Sequence, residues 1–346
     1  MTRLLVAGGG LIGSRHIAHI NAHPHLTLAG VIDPDAAVRS GFDAPGFASI
    51  DAVDVLADGI VLATPSDLHA DHAEQSATRG WHMLIEKPVA GTMEQADRIV
   101  AATHAAGVKT LVGHHRRYHP KVAALKDVLQ SGVIGAPVLA SLIWALKKPD
   151  AYFDVPWRSG AQGSPVLINL VHEVDLLRYL LGEIIHVSGF GSRHVRGRER
   201  LESGGVTLGF EGGCVATLAF SDATPSPWAF EAGTGENPNI ATTGQDNLRI
   251  AGTAGAVEFP SLTIWSGADD WSQAPAPAVR AADGELPLVA QLTHFADVIA
   301  GRADPLVDAQ EGRKSLEQTL MIERALAGTA VQDPVRMGRS SEKHGE

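Results

Sequence analysis

The sequence predicts an α/β protein with an N-terminal parallel sheet covered by helices on both faces. An α+β domain on a large, mostly antiparallel sheet follows. Three observations predict this. The 346 residues correspond to about two domains at ~150 residues each. The first stretch alternates short, wholly apolar runs with helix-like segments, the pattern of strands buried on both faces. Beyond residue 120 the texture changes to helices first, then strands with alternating apolar and polar residues.

The N-terminal apolar runs are LLVAG (4–8), LTLAGVID (26–33), GIVLATP (59–65), HMLIEKP (82–88) and VKTLVGH (108–114). Helices are expected from about Gly13 to Ala22, over 67–79 and over 92–106. In the second domain, helices are expected over 120–131 and 164–182. The second of these starts from Ser164 as N-cap and Pro165 in the first helical position. GVTLGFEGGCVATLAFS (205–221) reads as a hairpin turning at EGG, and segments 247–252, 256–259 and 262–265 extend the sheet. The Pro/Gly/Ala-rich stretch 266–285 reads as a surface loop, and helices over 286–300 and 308–327 follow. The domains are taken as 1–119 and 120–335, with a polar tail at 336–346.

Composition excludes several classes. Lys and Arg number 28 against 39 Asp and Glu, a net charge of −11, which repels phosphate backbones and argues against nucleic-acid binding. The single cysteine, Cys214, permits no internal disulfide and fits a reducing cytoplasmic setting. No apolar run approaches the ~18 residues of a membrane span. The longest, PVLASLIWAL (137–146) and SPVLINLV (164–171), are interrupted by Ser, Pro or Asn. The start, MTRLLVAGGG, reads as a first strand rather than a leader.

Gly8-x-Gly10-x-x-Gly13 directly follows the first run and opens the first helix. Gly8 permits the tight turn, Gly10 lets a pyrophosphate approach, and Gly13 lets helix pack on strand. The helix start at Leu11 and Ile12 then offers N–H groups and a partial positive charge to phosphates. The second run ends at Asp33, twenty residues after Gly13, where an acid binds the ribose hydroxyls of a dinucleotide. This is the pattern of a Rossmann domain. A carboxylate there repels a 2′-phosphate, and no Arg follows at once, so NAD is expected rather than NADP.

Glu86-Lys87-Pro88 ends the run HMLIEKP. With the glycine turn, ATPSDLHADHA (63–73) and LINLVHEVDLLRYLLG (167–182), it resembles the Gfo/Idh/MocA family of oxidoreductases. The resemblance covers nearly the whole chain. It implies an N-terminal Rossmann domain and a C-terminal domain whose open sheet joins subunits as a homodimer or homotetramer. It also implies a nicotinamide at the domain boundary and a small hydroxylated substrate such as a sugar, cyclitol or sugar acid. Carried over by position, Ala63, Thr64, Pro65 and His69 lie along the cofactor, and Glu86 and Lys87 beside the nicotinamide.

Oxidising an alcohol by hydride transfer needs a base for the hydroxyl proton and a charge for the developing alkoxide. Lys87 suits the second task, at the carboxyl edge of a parallel sheet. His172 suits the first. Asn169, His172 and Asp175 recur at spacing three on one face of an otherwise apolar helix, so Asp175 is expected to support His172. Many family members carry Asp four residues before this His. Here Ile168 stands there, with Asn169 beside it. The substrate wall is expected from Arg116 and Tyr118 in the cluster 114–119, and from Tyr152, Trp157, Arg158 and Asn169. Arg116 and Arg158 are suited to a carboxylate. The histidines lack a metal-ligand motif, so no metal is expected. Two other functions fit the same parts: a dihydrodiol dehydrogenase or ketone reductase on a non-sugar ring, and a non-catalytic cofactor-sensing regulator.

Overall fold

The structure is a computed structural model that describes residues 1–160, 163–196 and 200–327. Gln162, the side chain of Trp157 and the tail at 336–346 lie outside the described residues.

The first sheet has strands β1 (Thr2–Ala7), β2 (Leu26–Ile32), β3 (Gly46–Phe47), β4 (Gly59–Leu62), β5 (His82–Ile85) and β6 (Thr110–Val112). Their order is β3-β2-β1-β4-β5-β6, and every pairing is parallel. Five strands were legible. The two-residue β3 is too short to show any periodicity. Helices α1 (Leu11–Ala22), α2 (Ala36–Arg39), α3 (His69–Thr78) and α4 (Met93–Ala106) connect the strands.

Alternate residues of each strand serve opposite cores. Leu5, Ala7, Ile60 and Leu62 pack with Ala70, Ala73 and Ala77 of α3 and with Ile99 of α4. Leu4, Val6 and Val61 face the other way, onto Ile17 and Ile20 of α1. Burial on both sides is why these runs are predominantly apolar.

Helix α5 (Pro120–Gln130) leads into strand β7 (Pro137–Ala145), the short helix α6 (Pro156–Ser159) and helix α7 (Val171–Leu181). The expected helix over 164–182 is not uniform. Residues Val166–Leu170 form a π-turn, and regular α-helix begins at Val171. Ser164 caps the start as expected, its Oγ accepting from the Val166 N–H at 3.2 Å.

The second sheet adds β8 (Ile184–Ser192), β9 (Ser203–Phe210), β10 (Val215–Ser221), β11 (Leu248–Gly252), β12 (Gly255–Phe259), β13 (Thr263–Ser266) and β14 (Ala276–Val279). Its order is β14-β13-β12-β11-β7-β10-β9-β8, antiparallel except for β10 against β7. The hairpin turns at EGG, where Gly213 has φ of 85°. The stretch 266–285 is not wholly loop, because β14 lies within it. All four of its residues are exposed, so no burial pattern betrays it, and Pro277 is tolerated on an edge strand.

One face of this sheet is core: Leu142, Trp144, Leu208, Leu218 and Phe220 pack on Leu125, Val174 and Leu177. The other face carries Leu139, Val215 and Phe190, each about half exposed. The short helix α8 (Phe230–Thr234) lies in the β10–β11 connection. The last helices, α9 (Pro287–Ile299) and α10 (Ala309–Ala327), reach back to the first unit. Leu292 and Phe295 of α9 join the core of Leu4 and Val6, while Leu316 of α10 joins that of Leu5. Among the described residues no helix is long and apolar enough to cross a membrane.

Candidate active site

The segments singled out in the N-terminal half share one edge. Parallel pairing puts Gly8, Asp33, Ala63, Glu86 and His114 just beyond the carboxyl ends of their strands, where α/β proteins bind ligands. Gly8 has φ of 91°, and a Cβ there would lie 2.6 Å from the Ala63 carbonyl oxygen. At Gly13 a Cβ would lie 1.8 Å from the Gly8 carbonyl oxygen, while at Gly10 it would meet nothing within 4 Å. The helix that starts at Leu11 and Ile12 has no side-chain cap, and Leu11 is 80% exposed. The glycine turn is therefore shaped and open as a dinucleotide's pyrophosphate requires. Asp33 is held beside it, accepting from the Gly9 and Asp35 N–H groups at 2.9 Å each. Sequence reasoning missed Arg39, whose Nη1 donates to the Asp33 carbonyl at 2.6 Å.

The loop after β4 is fixed from below. Its Ala63 and Thr64 are partly buried and Pro65 exposed. His69, expected along the cofactor, is instead 1% exposed. Its Nε2 lies 2.9 Å from the Thr64 carbonyl and its Nδ1 3.1 Å from that of Val89. It shapes the loop rather than facing the edge.

Glu86 is buried and receives His16 of α1, Nε2 to Oε1, at 2.8 Å. Burial opposes ionisation, but the His16 hydrogen bond and the nearby Lys87 and His115 hold the Glu86 carboxyl at about 2. His16 was missed; its only sequence signal is its place on the buried side of α1, with Ile17 and Ile20. Lys87 crosses to the second unit, where its Nζ donates to the Ile168 carbonyl at 3.2 Å. Burial lowers its pKa, with Glu86 opposing and Arg116 adding to the shift.

Ile168 stands one helical turn before His172, so the structure brings Lys87 and His172 to the same stretch of chain. His172 is 8% exposed, and its Nδ1 is buried without a hydrogen-bond partner. Its ring lies 5.3 Å from that of His115 and 6.4 Å from that of His114. Burial, then the charges of Lys87 and Arg116, push its pKa well below the usual value, so it is neutral at pH 7.

Three expected site residues are engaged elsewhere. Asp175 does not orient His172: it accepts from Arg117 Nε (2.9 Å) and Nη2 (2.7 Å) and from Ser315 Oγ (2.7 Å). Arg116 cannot clamp a substrate carboxylate, because it is enclosed by Glu173 (2.6 Å), Glu231 (2.8 Å) and Glu236 (3.3 Å). Burial pushes the Glu173 carboxyl up to about 7, Arg116 opposing and Glu231 adding to the rise. Tyr118 is turned to helix α9, its hydroxyl buried and its ring 5.5 Å from that of His294.

Tyr152, Arg158 and Asn169 do gather, around a lysine that sequence reasoning missed. Lys148 Nζ donates to Asn169 Oδ1 at 2.8 Å and lies 4.6 Å from the Tyr152 ring centroid. The Arg158 guanidinium lies 4.4 Å from the same centroid. Burial lowers Lys148 to about 8, with Asp222 opposing and Arg200 and Lys87 adding to the shift. Nothing local marks Lys148, which sits in the run Leu146-Lys147-Lys148-Pro149.

Two family models match the chain. One, described as an oxidoreductase family with an NAD-binding Rossmann fold, covers residues 2–114. The other, the GFO/IDH/MocA C-terminal domain, covers 122–258. The uncharacterized oxidoreductase YrbE of Bacillus subtilis is 27% identical over 63% of this chain and 67% of its own length. The 1,5-anhydro-D-fructose reductase of Ensifer adhaerens is 29% identical over 78% of each. The inositol 2-dehydrogenase 4 of Saccharopolyspora erythraea is 32% identical over 58% of this chain and 60% of its own. Among solved structures, the WlbA dehydrogenase of Bordetella pertussis with NADH and UDP-GlcNAcA superposes with a TM-score of 0.75 at 24% identity. That match covers 94% of this chain and 96% of that one.

The Asp175–Arg117 pair makes a stability prediction. Burial disfavours the Asp175 charge, but His114, Arg117 and Ser315 hold its carboxyl at about 2, below its ordinary 3.8. Its contribution is therefore complete above the unfolded pKa and lost as pH falls from about 4 to 2. Asp175→Asn leaves buried Arg117 with only its longer contact to Glu311, at 3.5 Å, and should cost about 3–5 kcal/mol in urea unfolding at pH 7. The gap to wild type should narrow towards pH 2; a gap independent of pH would contradict the pairing.

Proposed function

The chain belongs to the Gfo/Idh/MocA oxidoreductase family, with an NAD-binding Rossmann domain, and on that footing we propose a specific reaction for it. It transfers hydride between NAD and a secondary alcohol of a sugar, cyclitol or sugar acid. The observation that carries this reading is the contact of Lys87 Nζ with the Ile168 carbonyl, one turn ahead of His172. It sets an ammonium and a neutral imidazole together at the carboxyl edge of the parallel sheet.

NAD, when bound, is the acceptor or donor of the hydride. The glycine turn and the uncapped start of α1 would hold its pyrophosphate, and Asp33 its ribose hydroxyls. His172, neutral and with an unpartnered Nδ1, takes the substrate's hydroxyl proton during oxidation. Among the described residues Lys87 spends one of its three donors, on the Ile168 carbonyl, so two remain for the developing alkoxide. Its positive charge beside His172 keeps the imidazole neutral and ready to accept the proton. Glu86, fixed by His16, holds the strand end that carries Lys87.

Copies of the chain pair through the outer face of the second sheet, where Leu139 and Val215 lie in register on adjacent strands. Their exposure on a broad sheet supports this. Leu139→Arg with Val215→Arg should halve the mass seen by light scattering without altering circular dichroism. A wild type that is already monomeric would contradict the pairing.

Lys87→Met should lower kcat/KM by about 100- to 10,000-fold. NADH affinity by calorimetry should stay within about threefold, since binding rests on the glycine turn. The same titration on wild type should show NADPH binding more weakly than NADH. Normal turnover by Lys87→Met would remove Lys87 from the reaction, and tighter NADPH binding would contradict the role of Asp33.

A further inference from the structure

Two ammonium groups reach the π-turn Val166–Leu170, from opposite sides of the domain boundary. Lys87 comes from beyond β5 and donates to the Ile168 carbonyl. Lys148 comes from beyond β7 and donates to the side chain of the next residue, Asn169, at 2.8 Å. Lys148 is only 8% exposed. An ammonium has three donors, and Lys148 spends one. Its other charged contact is Asp222, 3.6 Å away.

Asp222 is already occupied. It accepts from Arg196 Nη1 at 3.0 Å and from both Nη atoms of Arg200. The other buried carboxylate here, Glu202, accepts twice from the Arg196 backbone N–H and lies 3.7 Å from the Arg196 guanidinium. Among the described residues, then, Lys148, Arg196 and Arg200 share Asp222, and Lys148 is the farthest of the three from it. Lys87 differs: Glu86, Glu231 and Glu236 all offset its charge. A nearly dry ammonium that donates to Asn169 and meets a carboxylate only at 3.6 Å keeps a donor and a charge to receive an anion.

Asn169 completes the receptor. Because its Oδ1 accepts from Lys148, its amide NH₂ points away from that bond and can donate. Ammonium and amide together offer donors to two oxygens of one anionic group, and the Tyr152 ring walls the side beneath Lys148. Arg116, the residue the sequence suggested for this duty, is fully engaged by its own carboxylates.

We infer that Lys148 and Asn169 bind an anionic oxygen group of the substrate, beside the hydroxyl on which Lys87 and His172 act. The adjacency of Ile168 and Asn169 fixes that arrangement: the acid group lies next to the reacting carbon's hydroxyl rather than across the molecule. A sugar acid supplies the group as a carboxylate and a sugar phosphate as a phosphate ester.

The inference rests on the proposed hydride-transfer reading, and the experiment separates the two. Initial rates of the full chain with NAD are followed by NADH absorbance on matched sets: a neutral polyol or sugar, its acid and its phosphate ester. One anionic member should exceed its neutral parent in kcat/KM by about 100-fold or more; whichever it is identifies the source of the charge. Lys148→Met should shrink that ratio by at least about tenfold, mainly through KM, and Lys148→Arg should restore part of it. Asn169→Ala should shrink it as well, should Lys148→Met not fold. Equal kcat/KM on neutral and anionic members overturns the subsite while leaving the oxidoreductase reading in place. Equal losses on both members in Lys148→Met and Asn169→Ala overturn it too. Binding of NADH with turnover of no member counts against both.

Discussion

The contact between the Lys87 ammonium and the Ile168 carbonyl is the joint on which the site depends. Neither partner is free to sit elsewhere. Lys87 follows β5, whose register is fixed by β4 and β6 on either side. Ile168 lies in a π-turn between a capping serine and a regular helix. Such turns are rare and concentrate at functional sites. A plain α-helix over the same residues would point Asn169 and His172 in different relative directions. The wider turn places one next to Lys148 and leaves the other near Lys87.

Buried charge surrounds this joint, and most of it is already matched. Arg116 is enclosed by three carboxylates, and Asp175 by Arg117 and Ser315. Networks satisfied internally resist rearrangement, because removing one member strands another in a dry place. Two lysines and the Nδ1 of His172 are among the groups that keep spare hydrogen-bonding capacity beside the π-turn. The chemistry is assigned to these groups because their surroundings do not use them up.

How much of this could be read beforehand follows from the range of each interaction. The glycine turn was legible because steric need at Gly8 and Gly13 is local, set by atoms within the same strand–turn–helix unit and the neighbouring Ala63. The five longer strands of the parallel sheet were legible as short, mostly apolar runs. The fates of Arg116 and Asp175 were not. Their partners lie 57 and 58 residues away for Glu173 and Arg117, and 140 away for Ser315. Helical spacing put Asp175 on the face of His172, but one turn further along, where Arg117 meets it first. Lys148 was hidden similarly: its two partners, Asn169 and Asp222, belong to other elements. The strand β14 was missed because an exposed edge carries no burial pattern.

The central claim is spatial, and a crystal structure of the chain with NADH and a bound alcohol tests it most directly. The account predicts that Lys87 Nζ and a ring nitrogen of His172 both lie within about 3.5 Å of the substrate hydroxyl, with the carbon bearing it against nicotinamide C4. A nicotinamide ring turned away from the π-turn, or a hydroxyl held by neither group, would contradict it.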